Sequence, residues 1–384
     1  MKKLISILLI LTLTLSMVAG CGKSGGTVTD VPDYDAVPTL FSDITGIAND
    51  QTVMTVGDVE VPAELYFYWV CYVCGTLEYN ILSEYNNYGM YGSCIDRDTM
   101  TVDWTSTYAN MPLMDYALAQ TEETIKYYMS IEELAAQEHA DLTEQDRADL
   151  AAEFDQYVKE MGGDSAFIDY LQMLGISHKT FDRISAVSYL YDNLLDLVYQ
   201  EGSNLYLEEE KYNLYATYAD HILIATQNMQ TGEMIDQQTR IEKYQLALDL
   251  ADQIHAAADP IALFEEFADT YGEDPGRESN PNGYIYTPGT MVDEFEATAA
   301  NLLPGEISEP VQTDYGFHII LRRDLITELR ENPEMKATVA QEYLNQLLVR
   351  RRSASQVTYD ECLEKVEWTE FYNDYIKKVD KLAG

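Results

Sequence analysis

The chain has 384 residues, 46% of them hydrophobic, and its 66 acidic against 24 basic side chains give a formal net charge of −42. A charge of that sign and size argues against nucleic acid as a partner and favours basic or unfolded cationic polypeptides. It would signal disorder in an apolar-poor chain, but 30 tyrosines and regular apolar spacing argue for a folded protein with an acidic surface, long enough for two domains.

In chain order, Lys2 and Lys3 precede an apolar run from Leu4 to Met17, too short to span a bilayer comfortably but suited to a signal sequence. The run ends in Val18-Ala19-Gly20-Cys21, which resembles the bacterial lipobox. That resemblance implies cleavage before Cys21, lipid on its thiol and a place on the outer face of a membrane. An ordinary secretory signal with a chance cysteine at the cut is the alternative. A diacylated cysteine meets the two-chain requirement for stable anchoring, at about 0.8 kcal/mol per buried methylene. The acidic surface is repelled by anionic headgroups, so attachment would depend on lipid alone. Gly22 to Pro38, rich in Gly, Asp, Thr and Pro, reads as a flexible tether.

Thr52–Val56 and Val59–Val61 flank Gly57-Asp58, a hairpin signal, and Pro62 then opens a helix. From there to about Tyr199 the pattern is mostly helical. Glu64 to Tyr85 is an aromatic-rich helix, and Asn86 to Asp103 is a long loop. Thr121 to His139 is periodic, Thr143 caps a helix through Met161 that stops at Gly162-Gly163, Ser165 to Leu174 stops at Gly175, and Ser177 caps a helix to Val198. The pair Cys71/Cys74 invites a redox or zinc reading, but both lie inside the aromatic helix with no second close pair. They read as core cysteines, with a bridge to Cys94 or Cys362 left open. The run Tyr66-Phe67-Tyr68-Trp69 reads as core rather than as a client-binding surface. After Asn332-Pro333, Met335, Val339, Tyr343 and Leu347 share a helical face, and Arg350-Arg351-Arg352 on that helix should pair with surrounding acids.

The segment from about Tyr218 to Leu325 differs in texture. It opens with a strand, His221-Ile222-Leu223-Ile224, followed by a helix with Ile241, Tyr244, Leu248, Ala251 and Ile254 on or near one face. Asp259-Pro260 starts another helix, with Phe264, Phe267, Ala268 and Tyr271 in helical register. A Gly- and Pro-rich loop from Gly272 to Asn282 leads to a short strand at Gly283–Tyr286. Met291 and Phe295 share one face of a brief helix, and two strands, Ile307–Gln312 and Gly316–Arg322, close the segment around a tight turn. This predicts a small α+β domain with an antiparallel sheet. Of five histidines, only His221 and His318 fall on its strands. Where the first and last strands of a sheet are neighbours, both can point to one face.

His221-Ile222-Leu223-Ile224, Tyr271-Gly272-Glu273-Asp274-Pro275, Gly289-Thr290-Met291-Val292-Asp293-Glu294-Phe295, Pro304-Gly305-Glu306-Ile307-Ser308-Glu309-Pro310-Val311 and Tyr315-Gly316-Phe317-His318-Ile319-Ile320 resemble successive motifs of parvulin-type peptidyl-prolyl cis/trans isomerases. The layout also resembles the PrsA-type and SurA-type extracytoplasmic foldases, in which a helical chaperone domain built from both chain ends carries a parvulin insertion. The expected fold class is therefore α+β: a mainly helical chaperone-like domain with an inserted domain of antiparallel sheet plus helices. The expected division is 1–20 signal peptide, 21–44 lipidated tether, 45–217 helical domain, 218–325 parvulin-like domain and 326–384 a C-terminal helical segment packing on the helical domain.

The resemblance also implies roles. His221 and His318 match the family's paired histidines, which hydrogen-bond to one another at the floor of the site. Asp274 matches the acidic or thiol position facing the substrate amide, and Thr313 a hydroxyl in the histidine network. Met291 and Phe295, with Ile285 or Tyr286 behind them, match the apolar seat of the proline ring. The implied reaction breaks no bond: an amide rotates over a barrier of about 18–20 kcal/mol set by its resonance. It needs an apolar seat, exclusion of water and polar groups placed for the rotating carbonyl, so Asp274 would act electrostatically, and neither metal nor cofactor is implied. The implied partners are unfolded or newly exported polypeptides containing X-Pro bonds.

Two departures stand out. Many parvulins have Gly-Gly-Asp-Leu-Gly where this chain has Asn282-Gly283-Tyr284-Ile285-Tyr286, which alters the groove rim. Between Ile224 and Ile241 the only base is Arg240, so no preference for phosphorylated substrates is expected. The altered rim motivates an alternative, a holdase whose parvulin domain is weak or inactive. A solute-binding lipoprotein would need repeated βαβ units, which the pattern lacks.

Overall fold

The computed structural model describes Tyr34 and residues 38–383. The expected signal sequence, the expected lipidation site at Cys21 and nearly all of the expected tether lie outside the described residues. The described part divides into two compact units, one formed by the chain up to Leu197 together with Leu347–Gly384, the other by Val198–Gln346. The architecture is α+β, and no described helix is long and apolar enough to cross a membrane.

The first unit begins with a short helix, α1 (Leu40–Thr45), and the expected hairpin of β1 (Thr52–Val56) and β2 (Val59–Pro62). Val56 pairs with Val59 across a two-residue turn in which Gly57 has φ +58°, the left-handed conformation this turn demands. Helix α2 (Ala63–Tyr88) starts directly after Pro62 and ends on left-handed Gly89, three residues beyond the expected Tyr85. The next segment is less irregular than its composition suggests: it folds into two small ladders, β3 (Ile95–Asp96) with β4 (Thr101–Val102) and β5 (Thr107–Tyr108) with β6 (Met111–Pro112). Helix α3 (Leu113–Glu138) starts eight residues before the expected Thr121. Leu113 and Ala117 extend the buried row through Thr121 and Ile125 at a spacing of four, so the first two turns are held by packing rather than by a capping residue.

Three helices complete this stretch: α4 (Glu144–Met161), α5 (Asp164–Leu174) and α6 (His178–Tyr199). Thr143 makes a reciprocal capping box with Asp146, and left-handed glycines at 162 and 175 end α4 and α5. Ser177 caps α6 through Thr180 N–H at 3.3 Å. Buried Glu64, at the start of α2, accepts from the Ser177 backbone at 3.0 Å and its hydroxyl at 2.9 Å, and from the Thr180 hydroxyl. A carboxylate at a helix N-terminus is stabilised by the unpaired amides there, which offsets the cost of burying it.

The second unit is built on a four-stranded antiparallel sheet in the order β8 (Tyr284–Tyr286), β7 (Thr217–Ala225), β10 (Gly316–Arg322), β9 (Val311–Gln312). Strand β7 begins four residues before His221. Helices α7 (Gln237–Ala256) and α8 (Pro260–Tyr271) cover one face, where Ile222, Ile224, Phe317, Ile319 and Leu321 meet Ala247, Leu250, Ala251, Ile254 and Phe264. The expected stripe on α7 holds only in its second half, because Ile241 and Tyr244 stay exposed. Helix α9 (Asp293–Asn301) lies on the other face. Met291 precedes this helix rather than sharing it with Phe295. Of the expected strand Ile307–Gln312, Ile307 makes an isolated antiparallel bridge to Leu321, and only the last two residues form a ladder with β10. Pro310 has no N–H to offer, and Ile320 N–H is taken by the Ser308 hydroxyl at 2.9 Å. Helix α10 (Leu325–Glu331) follows β10.

Helix α11 (Pro333–Ala354) leads back to the first unit, where β11 (Val357–Tyr359) adds to β1, with Met54 opposite Tyr359. Arg351 and Arg352 pair with Glu133 and Glu123 of α3 at 3.1 and 3.2 Å, as expected of the basic run. Helix α12 (Trp368–Ala383) closes the core: Phe67 lies 5.0 Å from Phe371, while Trp69 lies 4.5 Å from Tyr128 of α3. Tyr66, Phe67, Tyr68 and Trp69 are at most 5% exposed, so the aromatic run is core. Each such side chain contributes about 2 kcal/mol of burial. Cys71, Cys74 and Cys94 are buried and Cys362 half-buried, all four as free thiols, and burial pushes the Cys71 and Cys74 thiols far up from their ordinary range.

Candidate functional site

In the β7–β10 pairing His221 stands opposite Ile320 and His318 opposite Leu223. Residues two apart on a strand share a face, so the two histidines are diagonal neighbours on the side away from α7 and α8. Their rings meet edge to face, centroids 5.1 Å apart at 88°. Phe295, from the first turn of α9, sits against both at 5.3 and 5.5 Å.

His318 is 5% exposed, and Thr313 Oγ1 lies 2.9 Å from its Nε2. Thr313 Oγ1 also accepts from Tyr315 N–H at 3.1 Å, so one hydroxyl ties the turn before β10 to the imidazole. Burial, reinforced by the neighbouring His221, pushes the His318 pKa down to about 3, so the ring is neutral. The histidine–histidine hydrogen bond implied by the resemblance is not formed. His318 Nδ1 has no partner among the described residues, and His221 turns its Nε2 toward Asp274 Oδ2 at 3.2 Å, close enough for an ion pair but without hydrogen-bond angles.

Asp274 stands before a short 3₁₀ turn, Pro275–Glu278, and its Oδ1 accepts Gly276 N–H at 3.0 Å. Its Oδ2 accepts the Tyr284 hydroxyl at 2.6 Å. Burial would raise this carboxyl, but the interactions with His221, Tyr284 and the Gly276 amide outweigh it and hold the group well below the usual carboxylate range. The loop is pinned from beneath. Asp220, 2% exposed and next to His221, takes Arg277 at 2.9 Å and Arg323 at 2.7 Å, and those arginines reach on to Asp269 and Glu265.

Tyr286 is buried with its ring 6.1 Å from Phe295, and Met291, Val292, Leu302 and Val311 pack around the same cluster. Met291 is held by Glu296 Oε1, which accepts its N–H at 2.8 Å. Ile285 stands opposite Tyr218, on the other face of the sheet, so of the two alternatives only Tyr286 joins the cluster.

Residues 221–324 match a family model described as the Rotamase, PPIC-type PPIASE domain. The chain is 31% identical over 227 residues to the foldase protein PrsA of Geobacillus kaustophilus, covering 56% of this chain and 78% of that protein. The chain belongs to the PrsA foldase family. This PrsA-family chain is also 27% identical over 184 residues to the chaperone SurA of Bordetella parapertussis, across 48% of this chain and 32% of that one. A crystal structure of the peptidylprolyl isomerase PrsA from Bacillus cereus is 16% identical, covering 87% of this chain and 100% of that chain, with a TM-score of 0.32. The second unit of this PrsA-family protein thus contains a parvulin-type peptidyl-prolyl cis/trans isomerase domain, and the chain as a whole is a foldase of the isomerase and chaperone kind.

Within that domain the structure brings His221, His318, Thr313, Asp274, Tyr286, Met291 and Phe295 together and leaves Ile285 outside. Sequence reasoning missed Tyr284, the phenol on Asp274. Strand alternation was the available signal, since Tyr284 and Tyr286 share a face in any extended reading of 282–286. The Asp220–Arg277–Arg323 clamp was also missed, because partners 57 and 103 residues apart leave no local pattern.

Proposed function

We propose that this protein is a lipid-anchored foldase on the outer side of a membrane, turning over X-Pro bonds in newly exported chains. Lipid on Cys21 is its attachment, and His221, Asp274, His318 and Thr313 form the polar side of the site. Met291, Phe295 and Tyr286 form its apolar side, which receives the proline ring. The convergence of both histidines, Asp274 and Phe295 on one face of the central strands carries this reading.

The stiffness of a peptide bond comes from the resonance form with negative oxygen and positive nitrogen. A fixed carboxylate beside the carbonyl oxygen disfavours that form, and an apolar seat for the ring removes the water that would favour it. Asp274 supplies the charge, held ionised at any physiological pH by its partners. Neutral His318 brings no second charge into the floor. In a prolyl-peptide exchange assay the full chain accelerates isomerisation, and His221→Ala and Asp274→Ala each lower kcat/KM by about tenfold or more. Unchanged rates in both variants would refute the site. Metabolic labelling with fatty acid tests the anchor: Cys21→Ser loses the label and leaves the membrane fraction.

A second activity, holding clients without turning them over, is favoured by one observation. Tyr79, Tyr88, Met90, Met100 and Met111 are exposed in a stretch of the first unit that also carries Glu84, Asp96, Asp98 and Asp103 but one base, Arg97. Flexible methionines beside acids suit unfolded segments with apolar and basic residues. Suppression of client aggregation should survive in the His221→Ala/Asp274→Ala double variant.

A further inference from the structure

We propose that Tyr284 is a positioning residue of the isomerase, holding Asp274 in place against His221 with its phenol hydroxyl and acting on substrate only through that carboxylate. The inference rests on the functional reading of Asp274 given above. Tyr284 takes a position where many parvulins carry an acid, so the arrangement belongs to this chain's own rim sequence.

Four observations converge on it. The hydroxyl donates to Asp274 Oδ2 at 2.6 Å, a short bond of the kind made to a charged acceptor. The Tyr284 ring lies nearly parallel to His221, centroids 5.8 Å apart at 19°, so one side chain orders both members of the Asp274–His221 pair. The strand beneath is fixed to β7, with Tyr284 opposite Ala219. Gly283 (φ +92°) permits that approach, because a Cβ there would lie 2.5 Å from Ala219 O and 2.7 Å from Asp220 Cα. The turn after Asp274 leaves room for the phenol as well: a Cβ on Gly276 would stand 2.2 Å from Tyr284 Oη.

Together these contacts use both carboxylate oxygens. Oδ1 is held by Gly276 N–H, and Oδ2 by Tyr284 with His221 alongside. The carboxylate is therefore fixed in rotation as well as in charge. Without the phenol, Oδ2 keeps only the poorly angled contact to His221, the carboxylate is anchored by Gly276 N–H at Oδ1 alone, and it takes up a proton at higher pH.

The test uses the full chain with a prolyl tetrapeptide: kcat and KM from pH 2 to 8 for wild type, Tyr284→Phe, Asp274→Ala and the double variant, plus an NMR titration of the Asp274 carboxyl carbon over the same range. Tyr284→Phe should lower kcat by about tenfold with KM nearly unchanged, the size expected for a lost hydrogen bond to a charged group. It should also move the acid limb of the profile and the carboxyl titration to higher pH, and have no effect in the Asp274→Ala background. Wild-type kcat and pH profile in Tyr284→Phe would overturn the inference, as would an equal loss in the Asp274→Ala background. Full activity in Asp274→Ala would instead refute the functional reading beneath it. Gly276→Ala, which displaces the phenol without removing it, should reproduce the Tyr284→Phe profile and serves if that variant fails to fold; a wild-type profile there also overturns the inference.

Discussion

Buried His318 makes the stability of the isomerase unit depend on pH in a direction that can be worked out. Its ordinary pKa of 6.5 is pushed down to about 3 in the folded chain by burial and by His221. Between those values the unfolded chain binds a proton that the native chain does not. The stabilisation is complete above pH 6.5 and is lost as pH falls through that window. One pKa unit corresponds to about 1.36 kcal/mol, so acidification from pH 7 to pH 5 should cost about 2 kcal/mol at this residue, and the whole window about 5 kcal/mol. Stopping at pH 5 keeps Asp274 out of the balance, since its unfolded carboxyl titrates near pH 4. The comparison is wild type against His318→Gln, which keeps a polar side chain of similar reach but cannot titrate. Urea unfolding should be followed through the amide NMR signals of Ile319–Leu321 in β10, because Trp69, Trp104 and Trp368 all lie in the other unit. Wild type should lose about 2 kcal/mol more than His318→Gln between the two pH values. An equal loss in both would show that His318 is not held neutral by burial.

Phe295→Ala should destabilise the same unit by about 3–5 kcal/mol and depress prolyl isomerisation, read by the same unfolding signals and by the peptide assay. Arg323→Ala leaves the buried Asp220 half-neutralised and should cost about 3 kcal/mol or more. Arg330→Ala, whose partner Glu209 is on the surface, should shift the urea midpoint far less than Arg323→Ala; the two midpoints decide. Gly175→Ala should lower the thermal midpoint of the first unit, followed by tryptophan fluorescence, because Gly175 has φ +72° and its Cβ would lie 2.6 Å from the Phe41 ring; a cost of about 1–3 kcal/mol is expected. A phosphoserine-proline peptide should be turned over about fivefold less efficiently than its unphosphorylated form, a penalty of about 1 kcal/mol from like charge near Asp274.

What the sequence made legible was local. The hairpin at Gly57-Asp58, the Thr143 and Ser177 caps and the glycine stops at 162 and 175 each rest on chemistry within four residues, and each is present. The helix start at Leu113 escaped because Pro112 offers no capping side chain. Strand β11 escaped because three residues, Val357–Tyr359, become a strand only when β1 is there to pair with. The site divides the same way. The family resemblance named seven side chains that converge, whereas the choice between Ile285 and Tyr286 turned on register, which the resemblance left open.

The altered rim at Asn282–Tyr286 would count as decay if the residues that replace the common loop were idle, and they are not. Gly283 admits the strand, Tyr284 occupies Asp274, and Tyr286 completes the cluster around Phe295. The arginines nearest the floor are equally engaged: Arg277 and Arg323 by Asp220, and Arg322 by Asn213. Lys243 is bound by Glu273, which also accepts Ala225 N–H at 2.6 Å and so ties the end of β7 to the loop that carries Asp274. These arginines and Lys243 thus hold the sheet and its loop in register, and in the proposed mechanism the charge turned toward a substrate is the Asp274 carboxylate. That arrangement suits neutral or cationic residues before proline, in keeping with a protein of net charge −42.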